Sequence, residues 1–200
     1  MIWQTLPEII LSDPLALEIR TALPDALRVL VKEYPRDAWA GDPGFDGLVQ
    51  FWLDRHMMFR RLMDHLQQST QALLDQNKDP AAFTKEVARY GGMFVNQLHG
   101  HHQIEDQHYF PVLAKKDARV ARGFDILDAD HHSLDGHLNR FVETANGVIQ
   151  GLHSAPDPRD LAGKFHTSLL GLGGLLGRHL EDEEDLVVPI ILRHGSTGLG

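Results

Sequence analysis

The sequence contains no cysteine among its 200 residues. This absence excludes disulfides, thiolate metal ligands and cysteine nucleophiles. The chain also lacks a run of lysine or arginine, and its formal net charge is −9. Because nucleic acids and anionic membranes attract positive patches, neither is expected as a partner. Any chemistry in the chain must therefore come from other side chains.

Long apolar runs are missing as well, and no segment is long enough to cross a bilayer as a helix. The first residues, MIWQTLPEIILSDP, have no basic stretch ahead of their apolar positions and do not resemble a signal peptide. We therefore expect a cytoplasmic protein. Alternating patterns of β-branched residues are scarce, which argues against a β-sheet domain.

Apolar residues instead recur at steps of three and four along four segments, which predicts helices. The first covers about 45–76 and the third about 118–150, while the second and fourth open at Asp79-Pro80 and Asp157-Pro158. An aspartate followed by proline is a helix start signal. Short polar connections such as NKD are expected between antiparallel neighbours. The sequence therefore predicts an all-α, up-down-up-down four-helix bundle over residues 46–194.

Residues 1–45 differ from the four helical segments. Asp13-Pro14 and Leu23-Pro24-Asp25 predict two short helices, and the proline- and glycine-containing stretch from Tyr34 to Phe45 predicts a loop. We expect an N-terminal extension that packs on the bundle. A dimerisation arm, which would make a homodimer, is the alternative that the sequence leaves open. Residues 195–200 are expected to form a flexible tail.

Histidines are abundant, with 13 in the chain, and several fall on the apolar stripes within an internal repeat. A shift of 78 residues aligns the second segment with the fourth and pairs His101 with His179, Glu105 with Glu183, and Pro111 with Pro189. A shift of 75 residues pairs His56 with His131. The chain thus resembles two copies of a helical hairpin. Each copy supplies one histidine from its first helix and a His-x-x-x-Glu pair from its second.

Residues four apart lie on one face of a helix, so each His-x-x-x-Glu pair directs a nitrogen and an oxygen to one point. Burying these groups without a partner would be costly, and a bound cation removes most of that cost. Imidazole and carboxylate without thiolate suit iron, manganese or zinc, and two carboxylates suit a pair of ions. The candidate metal ligands are His56, His101, Glu105, His131, His179 and Glu183.

This set of motifs resembles the hemerythrin-like HHE cation-binding family. Phe110-Pro111 after the second motif and Val188-Pro189 after the fourth are also similar to that family. The resemblance implies a four-helix bundle that holds two non-haem iron ions joined by an oxo or hydroxo bridge. It also implies that Glu105 and Glu183 bridge the irons and that the four histidines are terminal ligands.

The oxygen-carrying hemerythrins have a second histidine one turn after the first on their third helix, where this chain has Asp135. Candidates for an additional ligand are Asp135, His102 and His132. With four histidines alone, each iron would keep one exchangeable position, which predicts rapid oxidation in air instead of reversible oxygen carriage. Asp106 and Glu184 are either hydrogen-bond acceptors for ligand imidazoles or solvated acids at a helix rim.

For function, the resemblance implies a protein that binds or senses O2, NO or peroxide. One alternative is a di-iron enzyme that removes peroxide or NO, or that takes part in iron–sulfur repair as some relatives do. Those relatives often carry a cysteine-bearing N-terminal segment, which this chain lacks. Iron storage is a third reading. The sequence leaves open whether the protein is an enzyme.

Overall fold

The computed structural model describes residues 13–152, 154 and 157–199. Within these ranges the chain is helical and contains no β-strand, which confirms the predicted all-α class. Residues 1–12 of the predicted extension and Gly200 of the predicted tail lie outside the described residues. No helix in the described ranges combines the length and the apolar character needed to span a membrane.

Short helices precede long ones along the chain. A 3₁₀-helix spans Asp25–Leu27, α1 spans Val29–Glu33, and a second 3₁₀-helix spans Arg36–Gly41. The remaining helices are α2 (Gly47–Leu74), α3 (Pro80–Glu86), α4 (Gly92–Ile104), α5 (Phe110–Lys116), α6 (Ala121–Gly151) and α7 (Pro158–His194). Two π-helical turns, Val87–Gly91 and Glu105–Tyr109, join α3, α4 and α5 without a break.

Aspartates begin three of these helices, as the sequence predicts for two of them. Asp79 accepts a hydrogen bond from the backbone N–H of Ala82 at 2.8 Å, and Asp157 accepts one from that of Arg159 at 2.9 Å. Asp46 accepts from Leu48 and Val49 at the start of α2. These bonds satisfy N–H groups that have no partner within the helix. The proline that follows Asp79 and Asp157 occupies a position where no such donor is needed.

The N-terminal segment, residues 13–45, corrects two predictions. The helix expected after Asp13-Pro14 does not form, and residues 14–19 make turns and a bend instead. The Asp13 carboxylate accepts from the Leu15 N–H at 2.9 Å, a local bond that competes with a helix. The stretch from Tyr34 to Phe45, predicted as a loop, contains the second 3₁₀-helix.

Two clusters of buried apolar side chains lie along the long helices. The first core includes Phe59, Phe94, Leu134 and Leu172. The second core includes Trp52, Phe110, Leu127 and Leu186, and it also takes in Leu23, Leu30 and Trp39 from the N-terminal segment. That segment is therefore packed onto the long helices. Between the two cores, each long helical stretch carries buried polar residues.

Helices α2 and α7 come close together near the first core. A Cβ added to Gly173 of α7 would lie 2.8 Å from Nε2 of Gln67 on α2. Glycine inside a helix costs about 1 kcal/mol relative to alanine. At this position the amide end of the flexible Gln67 side chain occupies the space beside Gly173.

Candidate metal centre

The six predicted ligands meet between the two cores, in two adjoining groups of side chains. One group contains His56, His101, Glu105 and Glu183, and the other contains His102, His131 and His179. Within each group, the potential ligand atoms lie within 4.8 Å of one another. All of these side chains are buried except that of His101, which is partly exposed. Helices α2, α4, α6 and α7 and the second π-helical turn each contribute to the centre.

The first group brings two imidazoles and two carboxylates together. Nε2 of His56 lies 3.2 Å from Nε2 of His101. Oε1 of Glu105 lies 2.9 Å from Nε2 of His101, and Oε2 of Glu183 lies 3.5 Å from Nε2 of His56. The ring nitrogens and the carboxylate oxygens thus face a common point, as ligands of one cation would.

The second group approaches the same two glutamates. Nε2 of His131 lies 3.1 Å from Nε2 of His179. Oε2 of Glu105 lies 3.7 Å from Nε2 of His131, and Oε2 of Glu183 lies 3.6 Å from Nε2 of His179. Glu105 therefore presents one oxygen to each group, and a single oxygen of Glu183 approaches both. This is an arrangement suited to carboxylates shared by two ions.

His102 belongs to the second group and breaks the internal repeat. Its ring lies parallel to that of His131, and its Nε2 is buried without a hydrogen-bond partner in the described part of the chain. The repeat mate of His102 is Leu180, so the repeat gives no reason to choose it. The available signal was its position four residues after Leu98, on the buried face of α4.

Asp135 and His132 belong to neither group. Both are exposed on α6, and Nδ1 of His132 lies 2.8 Å from the backbone oxygen of Asp128. Each residue advances a helix by about 100°, so His132 turns away when His131 faces inward. Leu134 and Leu138 occupy the inward positions of the next two turns.

Three of the inward-facing histidines are held from behind by carboxylates. Nδ1 of His56 lies 3.0 Å from Oε1 of Glu184, and Nδ1 of His131 lies 2.7 Å from Oδ1 of Asp106. Nδ1 of His179 lies 3.2 Å from Oδ2 of Asp130. An Nδ1–H that donates to a carboxylate leaves the Nε2 lone pair directed at the centre. Asp106 and Glu184 thus take the hydrogen-bonding role, and Asp130 is a residue that the motif did not indicate.

Several polar atoms at the centre are buried and unsatisfied. Trp52 donates its indole N–H to Oε1 of Glu183 at 2.6 Å. In contrast, both oxygens of Glu105 and Oε2 of Glu183 have no hydrogen-bond partner among the described residues. Buried carboxylate oxygens are expensive to leave unpaired. The residues present therefore fit a cation between them.

Residues 47–191 match the hemerythrin HHE cation binding domain. The chain belongs to this family. The matched range runs from the start of α2 into the last turns of α7, and the N-terminal segment precedes it. No curated protein and no solved structure matches the chain.

The environment of this HHE site sets the charges of its side chains. Burial, reinforced by the negative charge of Glu183, raises the pKa of Glu105 well above its usual range. Burial also lowers the pKa of His101 to about 3 and holds the pKa of His102 well below its usual range. These two imidazoles are therefore neutral near pH 7, which is the form that binds a metal ion.

A pocket of about 200 Å³ reaches the HHE site beside His101. Its walls are formed by α2, α4 and the second π-helical turn, and its lining includes Phe51, Trp52, Gly100, Ile104 and Tyr109. Arg55 lies over the ring of Phe51 and donates to Oε1 of Gln97 at 2.7 Å. The exposed edge of His101 is thus the part of the centre that a small molecule entering from this pocket would meet.

Proposed function

We propose that the two groups hold two non-haem iron ions and that the protein binds or senses O2, NO or peroxide there. His56 and His101 would hold one ion, and His102, His131 and His179 would hold the other. Glu105 and Glu183 would serve both. Iron in this setting supplies a position for a small oxidant and the capacity to exchange electrons with it.

The proposed setting for the centre is an up-down-up-down four-helix bundle. Support comes from the order of the two cores along each helix. In α2 and α6, residues of the second core precede those of the first core. In α7, and along the stretch from α3 to α5, residues of the first core come first. Neighbouring stretches of the chain thus alternate in direction.

The single observation that favours ligand binding at one ion is the position of His102. It gives one group three imidazoles and leaves the other group with two. An octahedral ion held by His56 and His101 is therefore one protein ligand short of its neighbour. This count revises the expectation of an exchangeable position on each ion. It favours attachment of a small ligand to one ion, as in a binding or sensing protein.

The pocket beside His101 also indicates that a small ligand would reach the ion held by His56 and His101. The aromatic rings of Phe51, Trp52 and Tyr109 give it an apolar wall that suits O2 and NO. At Gly100, an added Cβ would meet no atom within 4 Å, so a larger side chain has room to occupy the pocket. The pocket can therefore be narrowed without disturbing the helix.

Iron analysis and ligand binding test this proposal together. We expect two iron ions per chain after anaerobic loading with Fe(II), and a change in the optical spectrum when NO or O2 is added. Gly100→Phe should slow that change without lowering the iron content. Gly92→Phe is the matched control, since Gly92 also lies on α4, is exposed and has an open Cβ position.

Two results would count against the proposal. A single ion per chain would exclude the paired centre. Equal rates in Gly100→Phe and in the control would exclude entry beside His101. Consumption of many equivalents of peroxide or NO per chain would instead favour the enzyme alternative.

A further inference from the structure

Two arginines of the N-terminal segment reach the carboxylates that lie behind the metal-facing histidines. We propose that Arg20 and Arg36 are positioning residues of the metal centre, each fixing the carboxylate that orients one histidine. Arg20 would act on His179 through Asp130, and Arg36 would act on His56 through Glu184. The inference rests on the proposed function, and it assigns a role to a segment that lies outside the range matched by the family.

Arg20 holds Asp130 with both ends of its guanidinium group. Its Nη1 donates to Oδ1 of Asp130 at 2.6 Å, and its Nη2 pairs with Oδ2. That same Oδ2 faces Nδ1 of His179. Nε of Arg20 donates to Asp182 at 3.0 Å, and the side chain of Arg20 is only 2% exposed. A two-pronged contact in a buried place restricts the carboxylate to one orientation.

Arg36 makes the equivalent connection on the other side of the centre. Its Nη1 donates to Oε2 of Glu184 at 2.6 Å, and its Nε donates to Oδ1 of Asp185 at 2.8 Å. The other oxygen of Glu184 faces Nδ1 of His56 and also accepts from Arg60 at 2.7 Å. Glu184 is thus held by two guanidinium groups, one from the N-terminal segment and one from α2.

The charges on α7 explain why the segment is needed. Four successive acids, Asp182, Glu183, Glu184 and Asp185, are buried. Glu183 faces the proposed ions, and the other three pair with arginines of the N-terminal segment. A carboxylate that stays ionised accepts strongly from an imidazole N–H and makes the opposite ring nitrogen a better metal ligand.

The two arginines act on histidines of different groups, and therefore on different proposed ions. His56 belongs to the first group and His179 to the second. Asp106, which lies behind His131, makes no hydrogen bond to an arginine in the described part of the chain. The N-terminal segment therefore acts on one histidine of each ion, so that loss of one arginine should affect one ion more than the other.

The test is an anaerobic titration of the metal-free, full-length chain with Co(II) in competition with a chelator. The wild-type chain should bind two ions. Arg20→Leu and Arg36→Leu should each lower the affinity for one of the two ions by about tenfold or more. The effect of Arg36→Leu should be the smaller, because Arg60 still holds Glu184. Arg28→Leu is the matched control, since Arg28 pairs with Asp185 and not with a carboxylate behind a histidine.

Far-ultraviolet circular dichroism of the metal-free variants separates positioning from folding. Arg20→Lys keeps the charge and loses the fork, so a folded Arg20→Lys chain should bind the affected ion with intermediate affinity. The inference is overturned if folded leucine variants bind both ions as tightly as the wild-type chain, or if Arg28→Leu weakens binding as much as they do. A wild-type chain that binds fewer than two ions overturns the proposed function as well.

Discussion

The imidazole ring of His102 stacks on that of His131, with ring centroids 3.9 Å apart and planes 10° from parallel. The stack holds His102 within the second group, where its Nε2 has no hydrogen-bond partner among the described residues. If His102 is a ligand of one ion, its removal should leave two histidines in each group. The internal repeat provides the natural replacement, because leucine occupies the equivalent position, 180.

His102→Leu should therefore lower the affinity for one of the two ions by at least about tenfold. Loss of a residue that only supports a ligand typically costs about 10- to 100-fold in metal affinity, and loss of a ligand should cost no less. Titration with Co(II) and counting of bound ions measures this effect. His132→Leu is the control, because the neighbouring side chain is 77% exposed and faces away from the centre. If both variants bind alike, His102 is not a ligand.

Glu105→Gln should have opposite effects on the metal-free and the metal-loaded protein. Without metal, the amide removes the cost of burying the Glu105 carboxylate or of protonating it near pH 7, as its raised pKa requires, and should raise the free energy of unfolding by about 1–3 kcal/mol. With metal, the loss of a shared anionic ligand should abolish the binding of at least one ion. Denaturant unfolding, with and without a chelator, measures both effects. Glu181 is an exposed acid on α7, two residues before Glu183, and Glu181→Gln should change neither the stability nor the metal binding. A metal-free Glu105→Gln chain less stable than the wild type would contradict the reasoning.

Asp106→Asn tests the carboxylate behind His131. The 2.7 Å contact between Asp106 and Nδ1 of His131 orients the ring, so the amide should lower affinity for one ion by about 10- to 100-fold. Asp128→Asn makes the same chemical change at an exposed position of α6, beside His132. Competition with a chelator gives both affinities. Similar values for the two variants would mean that Asp106 is only a surface acid.

Asp117 should make the free energy of unfolding depend on pH, and this effect does not involve the metal centre. Hydrogen bonds from Arg119, more than any other influence, hold the pKa of Asp117 well below its usual range. The stabilisation is therefore present above the unfolded-state pKa of about 3.9 and is lost as the pH falls below it. Asp117→Asn should cost about 1 kcal/mol at pH 7, with a smaller difference from wild type at pH 3.

The measurement for Asp117 is urea unfolding of the two chains at several pH values. Asp125→Asn, an exposed acid on α6, serves as the reference for a simple change of charge. A cost that stays constant from pH 7 to pH 3 would show that the ion pair with Arg119 does not stabilise the fold.

Local signals predicted much of the fold. The Asp-Pro starts at 79 and 157 work through contacts within three residues, so the sequence alone reveals them. The turns after Asp13 and the two π-helical turns were missed. A π-helical turn adds one residue to an α-helical turn, so the buried face shifts beyond it. After the second π-helical turn, the buried residues are Phe110 and Leu113. The one at Glu105–Tyr109 begins at the last residue of the second motif.

Some residues of the candidate site could likewise be predicted from the sequence, and others could not. The internal repeat identified the six residues that now face one another, because a repeat keeps equivalent side chains equivalent. It could not identify His102, whose repeat mate is apolar. Nor could it identify Arg20, which is separated by 110 residues from Asp130 and by 162 from Asp182. Pairing at such distances depends on how the helices pack, and no local pattern encodes it.

The N-terminal segment makes the boundary of the family domain differ from the boundary of the packed unit. A chain cut at residue 47 would keep every side chain of the two candidate ligand groups and all four buried acids of α7. It would lose Arg20, Arg28 and Arg36, together with Leu23, Leu30 and Trp39 of the second core. Such a fragment would carry the recognisable motif without the three arginines of the N-terminal segment that pair with its buried acids, although Arg60 of α2 would still pair with Glu184. The range that matches the family and the range that packs together are thus two different lengths of the same chain.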